Sequence, residues 1–176
     1  ITSGDLDTMI GVRELSGGFN AEVLVSFDSN NCDLGEISWI VGDSDSNCAN
    51  VTCSTNTFDD GAWHHAFAVF DNDKDQMQLY IDGNLEGNGS IDHCSNNYAK
   101  YFGTYNFYIG AFNDQWNVKN FFDGRMDEVI FYNAVPSALE INSSYRADLF
   151  KYDLDFSGFS DGTYLMDAFT TDLGGN

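Results

Sequence analysis

The 176-residue sequence contains one proline, only 7 lysines and arginines against 28 aspartates and glutamates, and no long apolar run. The net charge of −21 repels nucleic acids and anionic membrane surfaces, so we expect neither as a partner. No stretch approaches the roughly 20 apolar residues that a membrane-spanning helix requires, so we expect no membrane insertion. The acidic surface predicts a well-solvated domain, and crowded carboxylates also suit a divalent cation such as Ca²⁺.

Aromatic residues and glycines are abundant, with 15 phenylalanines, 9 tyrosines and 17 glycines. This composition is typical of short strands joined by tight turns. Apolar and polar residues alternate over 21–27, 66–71 and 76–82, and turn-forming residues occur at 71–74 and 82–84. We expect further strands at 35–41, 105–112 and 122–133, and one short helix near 137–145 that begins after Ser137. The fold class is therefore predicted to be an all-β antiparallel sandwich.

Four cysteines and three Asn-x-Ser/Thr sequons, at Asn50, Asn88 and Asn142, favour a secreted or cell-surface glycoprotein. Four cysteines allow three pairings. We favour Cys48 with Cys53, which brackets a short loop, and Cys32 with Cys94, which lie in two long loops between strands. A zinc site is the alternative, but the spacing used by zinc ribbons is absent.

Trp116 is the candidate carbohydrate-binding residue, because it lies in a polar loop beside Asn113, Asp114 and Gln115. Exposed aromatic rings stack on sugars, while amides and carboxylates bind the hydroxyls. The alternative is that the ring only anchors its loop.

Trp39 and Trp63 are expected in the core. His64 and His65 are adjacent, so on a strand they face opposite sides and cannot share one metal ion.

Asp28 and Asp33 lie in an oxygen-rich loop and are candidate metal ligands, although the loop does not follow the EF-hand pattern. Catalysis has little support in the sequence. There is no run of carboxylates of the Glu-x-Asp-x-x-Glu type on one strand, no nucleophile elbow, no phosphate-binding loop and no His-Glu-x-x-His motif. We expect a protein that is not an enzyme.

Five motifs follow one another at a spacing that resembles the laminin G-like, or concanavalin A-like, domain family: Trp63–Val69, Leu79–Gly83, Tyr108–Gly110, Phe122–Val129 and Ser137–Ile141. The resemblance covers about residues 9–145 and implies a jelly-roll sandwich. It also implies an extracellular adhesion or carbohydrate-binding module, with a glycan or a matrix or cell-surface protein as partner. Its wider superfamily implies a structural Ca²⁺ near Asp127, although this side chain could equally cap a turn or pair with Arg125.

Two alternatives to this function are a structural unit of a surface layer or filament, and a non-catalytic appendage of a polysaccharide-degrading enzyme. We divide the chain into a sandwich domain, 1–146, and C-terminal strands, 147–176. Because Ile1 opens the chain, we expect an excised piece of a longer protein from which strands that family members carry at the N-terminus are missing. The C-terminal strands either begin an immunoglobulin-like module, fold back onto the sandwich, or dock on a neighbouring copy.

Overall fold

The computed structural model describes residues 7–13, 22–27, 32–42, 49–91, 107–114 and 117–149. The elements in these ranges are β1 Asp7–Arg13, β2 Glu22–Phe27, β3 Glu36–Gly42, β4 Ala49–Thr57, β5 Ala66–Asp71, β6 Gln76–Ile81, β7 Asn84–Ser90, β8 Tyr108–Ile109, β9 Phe112–Asp114, β10 Asn117–Lys119 and α1 Ala138–Leu149. The paired strands are antiparallel. The predicted all-β antiparallel sandwich with one short helix is confirmed. No helix in these ranges is both long enough and apolar enough to span a membrane.

The core lies between a five-stranded sheet, ordered β4-β3-β2-β1-β8, and a three-stranded sheet, ordered β5-β6-β7. Ile37 and Trp39 from the larger sheet pack against Met77 and Leu79 from the smaller one. Trp39 is 6% exposed, and its indole Nε1 donates a hydrogen bond of 3.0 Å to the carbonyl of Val69 in the opposite sheet. Trp39 is thus a core residue, as predicted, and its polar atom is satisfied there.

The outer faces of both sheets are also covered in part. Ile141 of α1 is buried against Val69 and Tyr80 on the outside of the three-stranded sheet. On the outside of the five-stranded sheet, Phe112 at the start of β9 packs on Leu24 and Ile40.

The predicted meander of β5, β6 and β7 forms because its turns are specified locally. Asp82 and Gly83 both have positive φ, 52° and 74°, as a two-residue hairpin turn requires. At the other turn, Asp71 Oδ1 accepts the backbone N–H groups of Asp73 and Lys74, each at 3.1 Å. The Lys74 ammonium also donates to Asp71 Oδ2 at 2.8 Å and lowers the pKa of this carboxyl.

Helix α1 begins after a capping box. The Ser137 hydroxyl accepts the N–H of Glu140 at 3.3 Å, and Glu140 Oε2 accepts the N–H of Ser137 at 2.7 Å. The hydrogen bond from the Ser137 backbone lowers the pKa of Glu140. The predicted cap is confirmed, and the helix extends to Leu149 rather than ending at 145.

The predicted strand at 122–133 is wrong, since none of these residues is in a strand. An isolated bridge joins Thr8 to the neighbouring Phe121, and the Phe122 N–H donates to the Gly110 carbonyl at 3.0 Å. Glu128 has a φ of 51°, which interrupts an extended chain. The predicted strand at 105–112 is divided between β8 and β9, because Gly110 has a φ of 76°.

The favoured cysteine pairing is also wrong. The disulfide joins Cys32 to Cys53, with an S–S distance of 1.99 Å and a Cα–Cα distance of 5.7 Å. Cys53 lies within the extended strand β4, which begins at Ala49. Four strand residues span roughly 13 Å, whereas a disulfide tolerates Cα–Cα distances up to about 7 Å, so a partner just before β4 is out of reach. The predicted Cys32–Cys94 bond is excluded as well, and Cys48 and Cys94 themselves lie outside the described residues.

The two sheets approach most closely where β7 crosses β4. A Cβ atom added to Gly87 would lie 2.5 Å from the carbonyl oxygen of Cys53 and 2.8 Å from Thr52 Oγ1. Only a glycine permits this approach of two backbones. We call this side of the sandwich the closed edge.

Candidate functional site

A cleft of about 1570 Å³ opens at the opposite side of the sandwich, beside β5. Its floor is the inner face of the five-stranded sheet, including Met9, Val25 and Trp39, and its other walls are β5 and residues 122–136. We call this side the open edge. A volume of this size exceeds that of most small-molecule pockets, so the cleft has room for an oligomer or an extended chain.

Trp63 stands at the cleft and is 65% exposed, so its predicted place in the core is wrong. It follows a tight turn in which Asp60 Oδ1 accepts the N–H of Ala62 at 2.8 Å and Gly61 has a φ of 80°. The turn lies between the end of β4 at Thr57 and Trp63, and the indole that follows it lies at the rim of the cleft.

His64 fixes the base of this Trp63 loop through a carboxylate on each ring nitrogen. Nδ1 lies 2.8 Å from Asp82 Oδ2, and Nε2 lies 3.0 Å from Asp60 Oδ1. Burial of the ring lowers the pKa of His64, but the hydrogen bonds to Asp82 and then Asp60 outweigh burial, and the net pKa is raised. The His64 contact in turn lowers the pKa of Asp60. Only the imidazolium can donate from both nitrogens, so the arrangement is complete when His64 is protonated.

The His65 backbone shares Asp82 with His64, but the His65 ring has different partners. Its backbone N–H donates to Asp82 Oδ1 at 2.9 Å, while its ring lies 3.5 Å from the Ser144 hydroxyl and contacts the ring of Tyr145. The rings of the adjacent histidines therefore make separate contacts, although neither residue lies in a strand. His64 holds the Trp63 loop to the Asp82 turn, and His65 meets α1.

The wall formed by residues 122–136 carries both aromatic and polar side chains. The Tyr132 ring lies 5.2 Å from that of Phe67, and Phe122 stacks on Phe27 at 6.4 Å. Polar residues of the same wall that line the cleft are Asp123, Arg125, Asp127, Glu128 and Asn133. Rings and hydrogen-bonding groups thus converge on one opening.

The predicted Trp116 site is only partly described. Trp116 and Gln115 lie outside the described residues. Asn113 and Asp114 belong to β9, where Asn113 pairs with Val118 and Asp114 with Asn117. The Trp116 site therefore stays a prediction.

The predicted metal ligands are not brought together in the described part of the chain. Asp28 lies outside it, and Asp33 is exposed in the turn before β3, where its backbone N–H donates to Glu36 Oε2 at 3.0 Å. Asp127 is also exposed, and its Oδ1 accepts the N–H of Glu128 at 2.9 Å, which is the turn-capping alternative.

One group of three candidate ligand side chains occurs among the described residues, formed by Cys32, Glu36 and Cys53. Two of its members are joined as a disulfide, which leaves one carboxylate. Ca²⁺ requires six to eight oxygen ligands, so this group does not fit the ion. The described residues alone supply no calcium site at these predicted positions.

The three sequons differ in accessibility. Asn88 is exposed on β7, whereas Asn50 is half-buried in β4. Asn142 is half-buried on α1, where its Nδ2 donates to the Gly83 carbonyl at 3.4 Å and its Oδ1 accepts from Arg146 Nε at 2.8 Å. An N-linked glycan is attached at Nδ2, which in Asn142 is already hydrogen-bonded. Asn88 is the exposed one of the three and is therefore the most accessible position.

Sequence reasoning missed the site at the open edge. The contacts of His64 join residues 18 positions apart, and the cleft depends on a sheet edge that no local pattern reveals. The signal that could have found it is the Asp59–Trp63 turn, whose polar residues and Gly61 precede a large apolar ring.

Comparisons with known proteins place this fold in a family. A family model described as the concanavalin A-like lectin/glucanases superfamily, Laminin_G_3, matches residues 2–142. No curated protein and no solved structure matches significantly. Laminin G-like domains are generally extracellular and typically non-catalytic, and the disulfide fits an oxidising compartment. The matched range covers most of the chain and agrees with the observed sandwich, so the protein belongs to the laminin G-like branch of the concanavalin A-like superfamily.

Proposed function

We propose that this domain is an extracellular carbohydrate-binding module of a larger surface protein, and that Trp63 is the platform on which a sugar ring stacks. The observation that carries the proposal is the 65% exposure of Trp63 at the mouth of a large cleft. The family supports a recognition module of this general kind.

Exposing an indole ring to water is unfavourable unless a partner covers it. Burial of a large apolar side chain is worth roughly 1.5–3 kcal/mol, which the isolated domain forgoes at Trp63. The chain next to Trp63 is held in place, since the His64 side chain bonds to Asp60 and Asp82. A preorganised backbone lowers the conformational entropy that is lost when a ligand binds, which favours binding.

The polar groups of the cleft supply the second half of sugar recognition. Asp59, Asp123 and Asn133 offer oxygen acceptors, while Arg125 offers donors, and all four line the cleft. A neutral glycan suits this mixture better than a polyanion does, because the net charge of −21 repels anionic chains.

Two further parts of the proposal concern Trp116 and calcium. The Trp116 loop, with Asn113, Asp114 and Gln115, would form a second contact for an extended glycan. Family members often bind Ca²⁺, and the ion here would draw ligands from Asp28 or Asp127 together with backbone carbonyls.

A glycan array tests the proposal. The wild-type protein is screened with calcium and with a chelator, alongside Trp63→Ala and Trp116→Ala. The matched control is Leu139→Ala, which removes an equally exposed side chain, 69% accessible, from α1 outside the cleft. We expect a neutral glycan signal that disappears in Trp63→Ala and persists in Leu139→Ala. Loss on chelation would extend the proposal to calcium, while a signal unaffected by Trp63→Ala would contradict the assigned platform.

A structural unit of a surface assembly is the second candidate function. It is favoured by the apolar floor of the cleft, which is better suited to a peptide strand than to a sugar. This candidate predicts no glycan signal in any arm of the array.

A further inference from the structure

The three-stranded sheet has two edge strands, β5 and β7, and neither pairs with a further strand among the described residues. The β7 edge lies against β4, whereas the β5 edge borders the cleft. The order of this sheet is β5-β6-β7, so β5 pairs with β6 on one side only. The Asp82 N–H donates a hydrogen bond of 2.8 Å to the His65 carbonyl, so His65 and Asp82 form a hydrogen-bonded pair of the antiparallel ladder. Alternation along the register then leaves the N–H and C=O groups of Ala66, Ala68 and Phe70 pointing away from β6, toward the cleft.

The apolar side chains beside this edge are also incompletely covered. Ala68 and Phe70 face the inner layer, over Val25, Ile37 and Trp39. On the far wall, a run of apolar residues is largely exposed: Val129, Ile130, Phe131, Tyr132 and Val135. Their sequence is strand-like, yet they form no strand. An unpaired edge next to an uncovered apolar wall is the arrangement that a sheet completes by adding a strand.

The C-terminal segment of the chain begins close to the cleft. Ser144 and Tyr145 of α1 line the cleft, and α1 ends at Leu149. Residues 150–176 follow, which is ample, because β5 is six residues long and each extended residue spans roughly 3.3 Å. Within them, 162–166 is an uncharged run, Gly-Thr-Tyr-Leu-Met, and 162–171 contains one charged residue, Asp167. In a domain of net charge −21, a nearly neutral apolar segment can enter the cleft without strong repulsion.

We propose that the C-terminal segment of this chain folds back along the open edge and adds a strand, centred on residues 162–169, to β5. The strand would accept and donate the backbone hydrogen bonds that Ala66, Ala68 and Phe70 direct into the cleft. Its alternate side chains would cover the inner apolar floor and the exposed wall at 129–135. The strand would fill the floor of the cleft and cover the wall that includes Asn133, so a glycan would then bind at the rim, where Trp63 lies.

Amide hydrogen exchange on the full chain, followed by NMR, tests the strand. We expect the amides of Ala66, Ala68 and Phe70 to exchange at least about 100-fold more slowly than unprotected amides, since added pairing must open before exchange. Wild-type exchange at unprotected rates for these three amides would overturn the proposal without any variant.

Two proline variants locate the source of protection. Leu165→Pro removes an N–H and blocks pairing in the middle of the proposed strand, while Gly174→Pro places the same residue outside it. We expect protection of the three amides to be lost in Leu165→Pro and kept in Gly174→Pro, with β6 and β7 amides protected in both. Equal protection in the two variants would overturn the assignment.

Light scattering on the same wild-type sample distinguishes the source of the strand. We expect a monomer, with protection independent of protein concentration. A dimer whose dissociation on dilution abolishes the protection would show that a second copy supplies the strand, and would overturn the fold-back.

Discussion

The closed edge and the open edge of this sandwich are both formed by antiparallel strands, but the two sheets are in contact at the closed edge and are separated by a cleft at the open edge. At the closed edge, Gly87 lets β7 approach the backbone of β4, and the disulfide at Cys53 anchors β4 to the segment before β3. At the open edge, β5 borders the cleft, and residues 122–136 run beside it without forming a strand. The two sheets are held together at the closed edge by the small size of Gly87 and by the disulfide. The open edge has neither feature, and exposed aromatic rings such as Trp63 lie there.

Removing the disulfide should have the largest effect on stability and should loosen the closed edge. The double variant Cys32→Ser/Cys53→Ser opens a loop of 21 residues, and we expect a loss of about 3 kcal/mol in the free energy of unfolding, measured by urea denaturation. Replacing both cysteines avoids an unpaired thiol.

Peptide mapping without reduction checks the pairing directly. We expect a linked peptide containing Cys32 and Cys53. A peptide that links Cys48 to Cys53 would contradict the observed bond.

Filling the closest approach of the two sheets should have the next largest effect. In Gly87→Ala the new Cβ would lie 2.5 Å from a backbone oxygen, so strands must move, and we expect a loss of about 2 kcal/mol. Gly89→Ala is the control, because its Cβ meets nothing closer than 3.5 Å. Equal unfolding free energies for the two variants would show that the sheets are not in contact there.

Loss of the cap of α1 should lower the stability of the helix that covers the outer face of the three-stranded sheet. Ser137→Ala removes the acceptor for the Glu140 N–H, and we expect a loss of about 1 kcal/mol by thermal or urea unfolding. Ser143→Ala is the control, since its hydroxyl only donates to the Leu139 carbonyl within the helix. A loss in Ser143→Ala as large as that in Ser137→Ala would contradict the cap.

The smallest expected effect is a pH dependence at the base of the Trp63 loop. The pKa of His64 is raised in the folded protein, so protonation stabilises the fold, and this stability is lost as pH rises through the folded-state pKa. The melting temperature of the wild type should therefore fall more than that of His64→Gln between about pH 6 and about pH 9. This range begins below the ordinary histidine pKa of about 6.5. Parallel melting curves would contradict the role of His64.

The features that the sequence predicts well are those encoded by neighbouring residues. Alternation together with the Asp82–Gly83 turn specifies the meander, and Ser137 with Glu140 specifies the start of α1. The disulfide could not be inferred from spacing, because Cys53 lies in a strand and its partner depends on the fold that brings Cys32 to it. The strand-like sequence at 122–133 was misleading for a similar reason, since a strand requires a neighbour that the segment itself does not encode.

Trp63 shows why the candidate site was harder to predict than the fold. A tryptophan beside a strand is more often buried than exposed, and only the turn at Asp60–Ala62 and the His64 contacts place it at the rim. The polar neighbours of Trp116, by contrast, indicate its exposure from sequence alone.

Calorimetric titration with the glycan that the wild-type protein selects would test the central claim most directly. We predict that Trp63→Ala weakens binding at least about 10-fold, because removing an interfacial aromatic anchor commonly costs more than 1 kcal/mol, while Leu139→Ala leaves the affinity unchanged. Equal affinities for wild type and Trp63→Ala would contradict a carbohydrate site at the open edge.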